Sequence, residues 1–322
     1  MTDPHWALPE SAPVESSTPP VGDPTLAAAP GPTAAPSVVA EQPERRAVPV
    51  LAVFDRPLTI ADILDGGFEI IKARPRQVLT IACLFVLPLA ALVALADPGI
   101  FGGDALTALT DPETYDEGAE TSDGNFGLTI MSTMVTSLLI TVIAAPIARM
   151  VQSWYVGREL SVAEACRGMG SSWVSLLVGF VLVHLIEAAA TLLLVLPGVA
   201  AMAFLMVTAP AIAVERLGPF RGVQRSFRLV RPRFWTVLWI AVLSAVVAGT
   251  LSVLLPLLPL AVTSLFGFGG HEYVAAVGTV AASLLTLPFT AAVAVMTYFD
   301  LRVRTEGLDL QVALKHSFGE GR

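Results

Sequence analysis

The chain has 322 residues, of which 54% are hydrophobic and only 14% are charged, and its formal net charge is −8. An ordinary soluble domain carries about 25% charged residues, so this chain lacks the polar surface that would cover a soluble core of its size. The composition therefore excludes soluble enzymes and wholly disordered chains and predicts a polytopic membrane protein. Two cysteines also exclude a disulfide framework.

The first part of the chain, residues 1–54, is predicted to be a disordered tail rich in proline and alanine. Residues 1–50 hold 11 of the 24 prolines and show no apolar periodicity. No basic segment followed by an apolar run is present near the start, so we expect no signal peptide and insertion through the first transmembrane helix. Residues 313–322 are expected to form a second, short tail.

An amphipathic helix is predicted directly before the first apolar stretch. Ile60, Ile63 and Ile71 recur at helical spacing on one face, and acidic residues occupy the other face. Thr59, followed three residues later by Asp62, predicts an N-cap with an acidic residue in the first turn. The segment is too polar to cross a membrane, so it is expected to lie in the interface or against the helical bundle.

Six apolar stretches follow, and all but the fourth clearly reach the length of roughly 17–25 residues that a transmembrane helix needs. They cover residues 78–96, 128–148, 173–196, 199–214, 234–262 and 274–298. Only Pro197 and Gly198 separate the third stretch from the fourth, which predicts a tight helical hairpin; one long kinked helix is the alternative. Pro256 and Pro259 are expected to kink or end the fifth stretch. The predicted fold of residues 55–312 is thus an all-α bundle of six transmembrane helices with interfacial amphipathic helices.

The distribution of charge predicts the orientation of this bundle. The loop 97–127 holds eight carboxylates and no Lys or Arg, and the link 266–273 holds no Lys or Arg either. All 19 basic residues fall in the other connecting segments and tails, and Arg outnumbers Lys by 17 to 2, a bias typical of GC-rich bacterial genomes. Because cytoplasmic segments are enriched in Lys and Arg, we expect a multi-pass protein of the bacterial plasma membrane with both termini in the cytoplasm.

Self-comparison of the chain indicates an internal repeat. Residues 66–78 are echoed by residues 225–235: each has an amphipathic helix, a basic Pro-Arg break and the start of an apolar stretch. A fainter copy begins at residue 160 and leads to Trp173. Three parallel units, each with an amphipathic helix, a span and a return span, would explain this pattern. Chance similarity among apolar segments is the alternative.

Two ionisable residues within the third span form the first candidate site. His184 and Glu187 are three residues apart, so they lie on one face of a helix. Ionisable residues inside a span usually face the bundle interior or a cavity. They predict either a proton relay or polar substrate site, or a hydrogen-bonded clasp between helices. No other His, Cys or Asp stands at a similar depth, so we expect no metal and no cofactor.

The second candidate site is a basic amphipathic helix before the fifth span. Arg221, Arg225 and Arg228 form one face, and an apolar stripe that includes Phe220 and Phe227 forms the other. Such a helix attracts anionic lipid headgroups at the cytoplasmic surface or binds a protein partner; control of topology by positive charge alone is the alternative. No aromatic–basic surface for nucleic acid is present. The expected partners are therefore membrane lipids, anionic ones included, and a protein or a second copy of the chain.

Three charged residues stand at the predicted cytoplasmic ends of spans. Arg149, Glu215 and Asp300 end the second, fourth and sixth spans, respectively. Either they pair with one another at the membrane boundary, or their side chains extend into the interface without a defined partner.

Three parts of the chain resemble a known bacterial family. Residues 56–66 (RPLTIADILDG) look like the opening of the glycerophosphoryl diester phosphodiesterase membrane domain. Its central signature resembles APAIAVER at 209–216, GPF at 218–220 and RSFRLV at 225–230, and its actinobacterial ending resembles YFDLRVR at 298–304 with EGLDL at 306–310. The resemblance covers roughly residues 55–312. It implies a membrane region that sometimes adjoins a phosphodiesterase domain and that has no established activity of its own.

The resemblance and the residues together predict a membrane protein that is not an enzyme. The phosphodiesterase of that family resembles a TIM barrel, which needs about 250 residues of its own, and this chain has no room for one. No nucleophile–base arrangement is visible in the sequence, so an intramembrane enzyme is the least expected function. The first hypothesis is a non-enzymatic membrane module that binds lipid or a protein partner through the basic helix. The second is a small transporter or lipid-handling carrier that uses His184 and Glu187.

Overall fold

The computed structural model describes residues 58–96, 123–155, 158–170, 172–266 and 271–307, and within these ranges all regular structure is helical. They belong to one compact unit, Ala47–Arg322. The predicted tails 1–54 and 313–322, and the predicted acidic loop up to residue 122, lie outside the described residues.

Ten α-helices follow one another in the described ranges. They are α1 (Ile60–Ala73), α2 (Pro75–Ala96), α3 (Asp123–Tyr155), α4 (Val162–Arg167), α5 (Ser172–Leu193), α6 (Val195–Leu205), α7 (Thr208–Glu215), α8 (Pro219–Val230), α9 (Phe234–Phe266) and α10 (His271–Glu306). Five apolar segments are long enough to cross a membrane: Ile130–Trp154, Ser172–Leu193, Val195–Glu215, Pro219–Thr263 and Val274–Glu306. The prediction of an all-helical fold is confirmed for the described residues, and five apolar helical segments of spanning length are compatible with a membrane protein. The apolar segment Pro75–Ala91 in α2 is shorter, so the sixth span stays a prediction.

The last helix, α10, lies at the centre of the bundle. Helices α1, α2, α3, α7, α8 and α9 all pack against it. Every residue from Ala291 to Leu301 is buried, which means that α10 is covered on all sides over three turns. A helix that is apolar all round is typical of such a central position.

Helix α1 packs against the bundle, in one of the two positions predicted for it. Thr59 and Asp62 cap its N-terminus reciprocally, because the Thr59 hydroxyl accepts from the Asp62 N–H and the Asp62 carboxylate accepts from the Thr59 N–H. The Thr59 N-cap and the acidic residue in the first turn were predicted; the reciprocal bond to the Asp62 carboxylate completes a capping box. Gly67 faces α10 so closely that a Cβ there would lie 2.8 Å from Val293 Cγ2. The absence of a side chain at Gly67 therefore allows the two helices to meet.

A short helix followed by a long apolar helix occurs three times in the described chain, as α1–α2, α4–α5 and α8–α9. Helix α4 begins with the same type of reciprocal cap as α1, formed by Ser161 and Glu164. The Ser161 backbone N–H and hydroxyl both donate to Glu164 and hold the pKa of its carboxyl below the ordinary value. Helix α8 begins instead with Pro219, which suits a first helical turn. This order of elements agrees with the predicted repeat.

The predicted hairpin of the third and fourth spans is present, but its turn is not where it was predicted. One extended residue, Leu194 (φ −168°, ψ 151°), separates α5 from α6. Pro197 and Gly198 lie inside α6, because a proline in the first turn of a helix has no intrahelical hydrogen bond to lose. A Cβ on Gly198 would overlap Thr191, so the glycine permits the close approach of the two helices.

The fourth predicted span consists of two helices instead of one. A turn at Met206 and Val207 separates α6 from α7. Pro210 provides the physical reason, since it has no N–H to offer the carbonyl of Met206 four residues earlier and its ring clashes with that carbonyl. The span is therefore interrupted in the middle, where the cavity described below lies.

Three helices extend beyond their predicted ends. α3 begins at Asp123, inside the segment predicted as acidic loop, and α10 continues to Glu306. α9 does not end at its two prolines and runs on to Phe266. A Cβ on Gly278 of α10 would lie 2.9 Å from the Cα of Pro256, so α10 packs directly against the proline-containing turn. Packing by a neighbouring helix is what allows prolines inside membrane helices.

Candidate functional site

His184 and Glu187 of α5 meet Ser137 of α3 within the helical bundle. His184 Nδ1 and Glu187 Oε2 are 2.6 Å apart, and His184 Nε2 is 2.8 Å from the Ser137 hydroxyl oxygen. Phe180 contacts the imidazole edge-on, with ring centroids 4.4 Å apart. Because both ring nitrogens are hydrogen-bonded, the orientation of the imidazole is fixed. We refer to Ser137, His184 and Glu187 as the polar cluster.

The polar cluster borders a cavity of about 250 Å³. Helices α3, α5, α6, α7, α9 and α10 all contribute to its wall, which is apolar over most of its area. The polar cluster apart, four hydroxyl-bearing residues line it: Thr141, Thr208, Ser244 and Thr290. The cavity thus combines an apolar body with a small number of hydrogen-bonding groups.

Thr208, the first residue of α7, presents a buried hydroxyl to this cavity. Its residue is only 4% exposed, and its Oγ1 has no hydrogen-bond partner. The hydroxyls of Thr141 and Thr290 instead donate to carbonyls one turn earlier in their own helices. The corresponding carbonyl for Thr208 is that of Phe204, which lies across the helix break and accepts from the Ser226 hydroxyl at 2.7 Å. The break therefore leaves the Thr208 hydroxyl without a partner.

A second group of polar side chains joins α7, α8 and α10. Arg225 donates to Glu215 at 2.8 Å and contacts Glu306 at 2.5 Å, and Arg302 donates to Glu306 at 3.0 Å. The Tyr298 hydroxyl donates to Glu215 at 2.8 Å. The negative charges of two carboxylates and the positive charges of two guanidinium groups thus neutralise one another around the Tyr298 side chain. We call these five residues the charged cluster.

Asp300 connects α10 to the start of α1. Its carboxylate accepts from the Leu58 backbone N–H at 3.1 Å and from Arg304 Nε at 2.9 Å. Arg304 also donates to the Leu58 carbonyl, so the three groups close a ring of hydrogen bonds. The Asp300 side chain is 6% exposed, which makes this a buried ion pair. The contact joins positions 242 residues apart in the sequence.

Of the two alternatives for Arg149, Glu215 and Asp300, the structure does not have the pairing with one another, and both carboxylates have other, defined partners. Glu215 belongs to the charged cluster and Asp300 pairs with Arg304. Arg149 pairs with neither; its Nε is buried without a hydrogen-bond partner, and its guanidinium lies against Gly168. Each carboxylate has an arginine close to it on its own or an adjacent helix, and this proximity decides the pairing.

The three arginines predicted as a lipid site border one surface pocket on α8, together with Glu215, Leu217 and Gln224. They are not equivalent. Arg225 is held by two carboxylates in the charged cluster, whereas Arg221 and Arg228 are exposed. Two of the three predicted residues are therefore left to contact something outside the chain.

The apolar stripe predicted for α8 faces the bundle only in part: Val230 is buried and Phe227 stacks on Phe204 of α6, with ring centroids 4.5 Å apart, but both phenylalanines of the stripe keep a large exposed area. Phe220 and Phe227 are 71% and 46% exposed. The buried face carries Gly222 and Ser226, and Gly222 lies in direct contact with Ile212 of α7. The bundle side needs small residues because the helix axes approach closely there.

Sequence reasoning paired His184 with Glu187 but did not identify Ser137 or Thr208. The Ser137–His184 contact depends on how α3 and α5 are rotated about their axes, for which the sequence holds no signal. Pro210 was the available signal for Thr208, because it marks the helix break. Within the described ranges, no group of three His, Cys, Asp or Glu side chains could hold a metal ion.

Comparison with known proteins gives a match for part of the chain. No curated protein and no solved structure that was compared matches it. Nothing in the comparisons links the chain to the glycerophosphoryl diester phosphodiesterase membrane domain, whose signatures it resembles. Residues 184–301 match the model of a family described as a domain of unknown function, DUF7847. This segment begins at His184 and includes Glu187, Thr208 and the whole of α8, so the part of the chain similar to that family contains most of the cavity wall.

Proposed function

We propose that this membrane protein binds a small amphiphilic molecule in its intramembrane cavity and acts as a lipid-handling carrier. The supporting observation is the cavity of about 250 Å³, whose mostly apolar wall includes His184, Glu187 and the unpartnered Thr208. A mostly apolar pocket with a few convergent polar groups is the usual form of a small-molecule site. An apolar cavity of about 150 Å³ holds benzene, so this cavity has room for a larger group with a polar tip.

The polar groups indicate which chemistry the ligand would have. A buried hydroxyl without a partner costs about 1–3 kcal/mol, and ionisable residues in a span also oppose insertion. A ligand hydroxyl, ester or amide would give Thr208 its missing partner while its apolar part fills the remaining space. The interruption between α6 and α7 also fits, because discontinuous helices commonly line the binding sites of membrane transporters.

The proposed setting is a six-span protein of the bacterial plasma membrane with both termini in the cytoplasm. α2 would be the sixth span, since its 22 residues correspond to about 33 Å of helix. Arg225, Arg302 and Arg304 lie at one end of the bundle, which the positive-inside rule would place in the cytoplasm. Three parallel repeats and membership of the glycerophosphoryl diester phosphodiesterase membrane domain family belong to the same proposal.

A photoactivatable fatty alcohol with a diazirine in its chain tests the proposed binding, using the full chain in lipid nanodiscs. We expect crosslinks in peptides that line the cavity and at least a tenfold reduction on His184→Ala, which removes a hydrogen-bonding group from the wall. Ala245→Phe, which enlarges a residue of the cavity wall, should abolish the crosslinks.

Gly249→Phe is the matched control, because Gly249 lies one turn further along α9 with open space around it. This variant should retain the crosslinks. Crosslinks spread evenly over the outer surface, or crosslinking that survives Ala245→Phe unchanged, would contradict the proposal.

A second candidate function is binding of anionic lipid headgroups, or of a protein partner, through α8. The exposed Phe220 and Phe227 beside the exposed Arg221 and Arg228 favour it. Aromatic side chains suit the boundary between acyl chains and headgroups, and each arginine near an anionic surface contributes about 1 kcal/mol.

The double variant Arg221→Gln with Arg228→Gln is expected to lower the preference for phosphatidylglycerol over phosphatidylcholine about 30-fold, since two arginines contribute about 2 kcal/mol. Native mass spectrometry of the protein with the two lipids measures this preference. Arg225→Gln is the contrasting variant, because it removes the guanidinium that joins Glu215 to Glu306 and should lower stability instead. An unchanged lipid preference in the double variant would rule out this function for α8.

A further inference from the structure

The polar cluster has the hydrogen-bond order of a serine hydrolase triad. The Ser137 hydroxyl oxygen lies 2.8 Å from His184 Nε2, and the opposite ring nitrogen, Nδ1, lies 2.6 Å from the Glu187 carboxylate. In such a triad, the base takes the proton of the serine and the carboxylate orients the base, whatever the positions of the three residues in the sequence. Both distances are within the range for a nucleophile and its base.

The Ser137 hydroxyl is directed away from its own helix, unlike most hydroxyls in these helices. The side chains of Thr141, Ser252, Thr279 and Ser283 donate to a carbonyl one turn earlier, the usual arrangement for Ser and Thr in membrane helices. Ser137 instead bonds across to the imidazole of α5. A simple clasp between helices would have the same bond, but it would not require that the serine line a cavity, as Ser137 does.

The same cavity also holds a hydrogen-bond donor for a developing oxyanion. The Thr208 hydroxyl is buried, lines the cavity and has no partner. The first backbone N–H groups of α7, which begins at Thr208, have no partner within that helix. Donors held in advance of the reaction in a dry site are the largest single contribution to catalysis of acyl transfer.

We infer that Ser137, His184 and Glu187 catalyse acyl transfer from an ester-bearing amphiphile, an inference that rests on the proposed binding of an amphiphile in the cavity. It departs from the expectation of a non-enzymatic protein, which rested on the absence of a nucleophile–base pattern in the sequence. The structure supplies that pattern by bringing α3 to α5.

The reaction proceeds in two balanced steps. The Ser137 oxygen attacks the ester carbonyl carbon and its proton passes to His184 Nε2; the carbon–oxygen bond to the alcohol then breaks, and that alcohol leaves with the proton from His184. Water, or a second alcohol as acceptor, next attacks the acyl-Ser137 ester while His184 takes its proton and returns it to the serine oxygen. Glu187 remains a carboxylate throughout and stabilises the imidazolium. The net products are a carboxylic acid, or a new ester, and an alcohol.

A fluorophosphonate probe with a long alkyl chain tests this inference on the full chain in nanodiscs. The probe phosphonylates an activated serine and releases fluoride. We expect one phosphonylated residue, Ser137, located by mass spectrometry, with labelling absent in Ser137→Ala and slowed about 1,000-fold or more in His184→Gln. Release of p-nitrophenol from p-nitrophenyl laurate should fall in parallel.

Ser252→Ala is the matched control, since the hydroxyl of Ser252 donates to a carbonyl of its own helix and lies outside the cavity wall. This variant should be phosphonylated, and should release p-nitrophenol, at the wild-type rate. Ser137→Ala should still be crosslinked by the fatty alcohol, because the cavity remains. If wild-type protein is crosslinked but never phosphonylated, the inference fails and the proposed binding stands; if it is neither crosslinked nor phosphonylated, both fail.

Discussion

Asp300→Ala is expected to lower the free energy of unfolding by about 3–5 kcal/mol, the cost of breaking a buried ion pair from one side. The substitution leaves the guanidinium of Arg304 without its carboxylate and the Leu58 N–H without an acceptor. Because both partners are largely buried, water replaces little of the lost interaction. The same change releases the start of α1 from α10.

Thermal unfolding in detergent measures the loss of stability, and hydrogen exchange of the α1 amides measures the release of the helix. Asp300→Asn should lower the free energy of unfolding by about half as much, because an amide oxygen can still accept a hydrogen bond from the Leu58 N–H. Asp65→Ala, on the exposed side of α1, should change stability by less than about 0.5 kcal/mol. If Asp300→Ala and Asp65→Ala have the same unfolding temperature, the proposed anchoring of α1 by Asp300 is wrong.

The elements that sequence analysis predicted correctly depend on local signals. The cap of α1 was predictable because Thr59 and Asp62 satisfy one another within four residues. The apolar stretches were predictable because length and composition decide whether a helix can enter a bilayer. The contact of His184 with Glu187 was predictable because residues three apart share a helical face.

The features that were missed depend on which face of each helix points into the bundle. For a helix surrounded by lipid, the pattern of apolar residues does not indicate this face. In water, the apolar face of a helix is the buried one, but in a membrane both faces are apolar. The sequence therefore held no indication that the buried face of α8 would carry Gly222 and Ser226. For the same reason, the sequence did not show the approach of Ser137 to His184 or the partners of Glu215 and Asp300.

Thr208→Val is expected to stabilise the protein and to weaken its binding of amphiphiles. Valine has nearly the same shape as threonine, so the substitution removes only the hydroxyl that is buried without a partner. We expect the free energy of unfolding of the ligand-free protein to rise by about 1–2 kcal/mol, because that desolvation cost disappears. Crosslinking by the fatty alcohol should fall about tenfold, since the ligand loses a hydrogen bond.

Thr290→Val is the matched control for stability, because the Thr290 hydroxyl also lines the cavity but already donates to the Thr286 carbonyl. Its removal should leave stability unchanged or lower it slightly. Opposite changes in stability and binding at Thr208 would mean that this hydroxyl is kept for a ligand at a cost to the fold, as functional groups in binding sites often are. A loss of stability in Thr208→Val would show instead that the hydroxyl has a partner in the folded protein, and the cavity would then lack the donor on which acyl transfer depends.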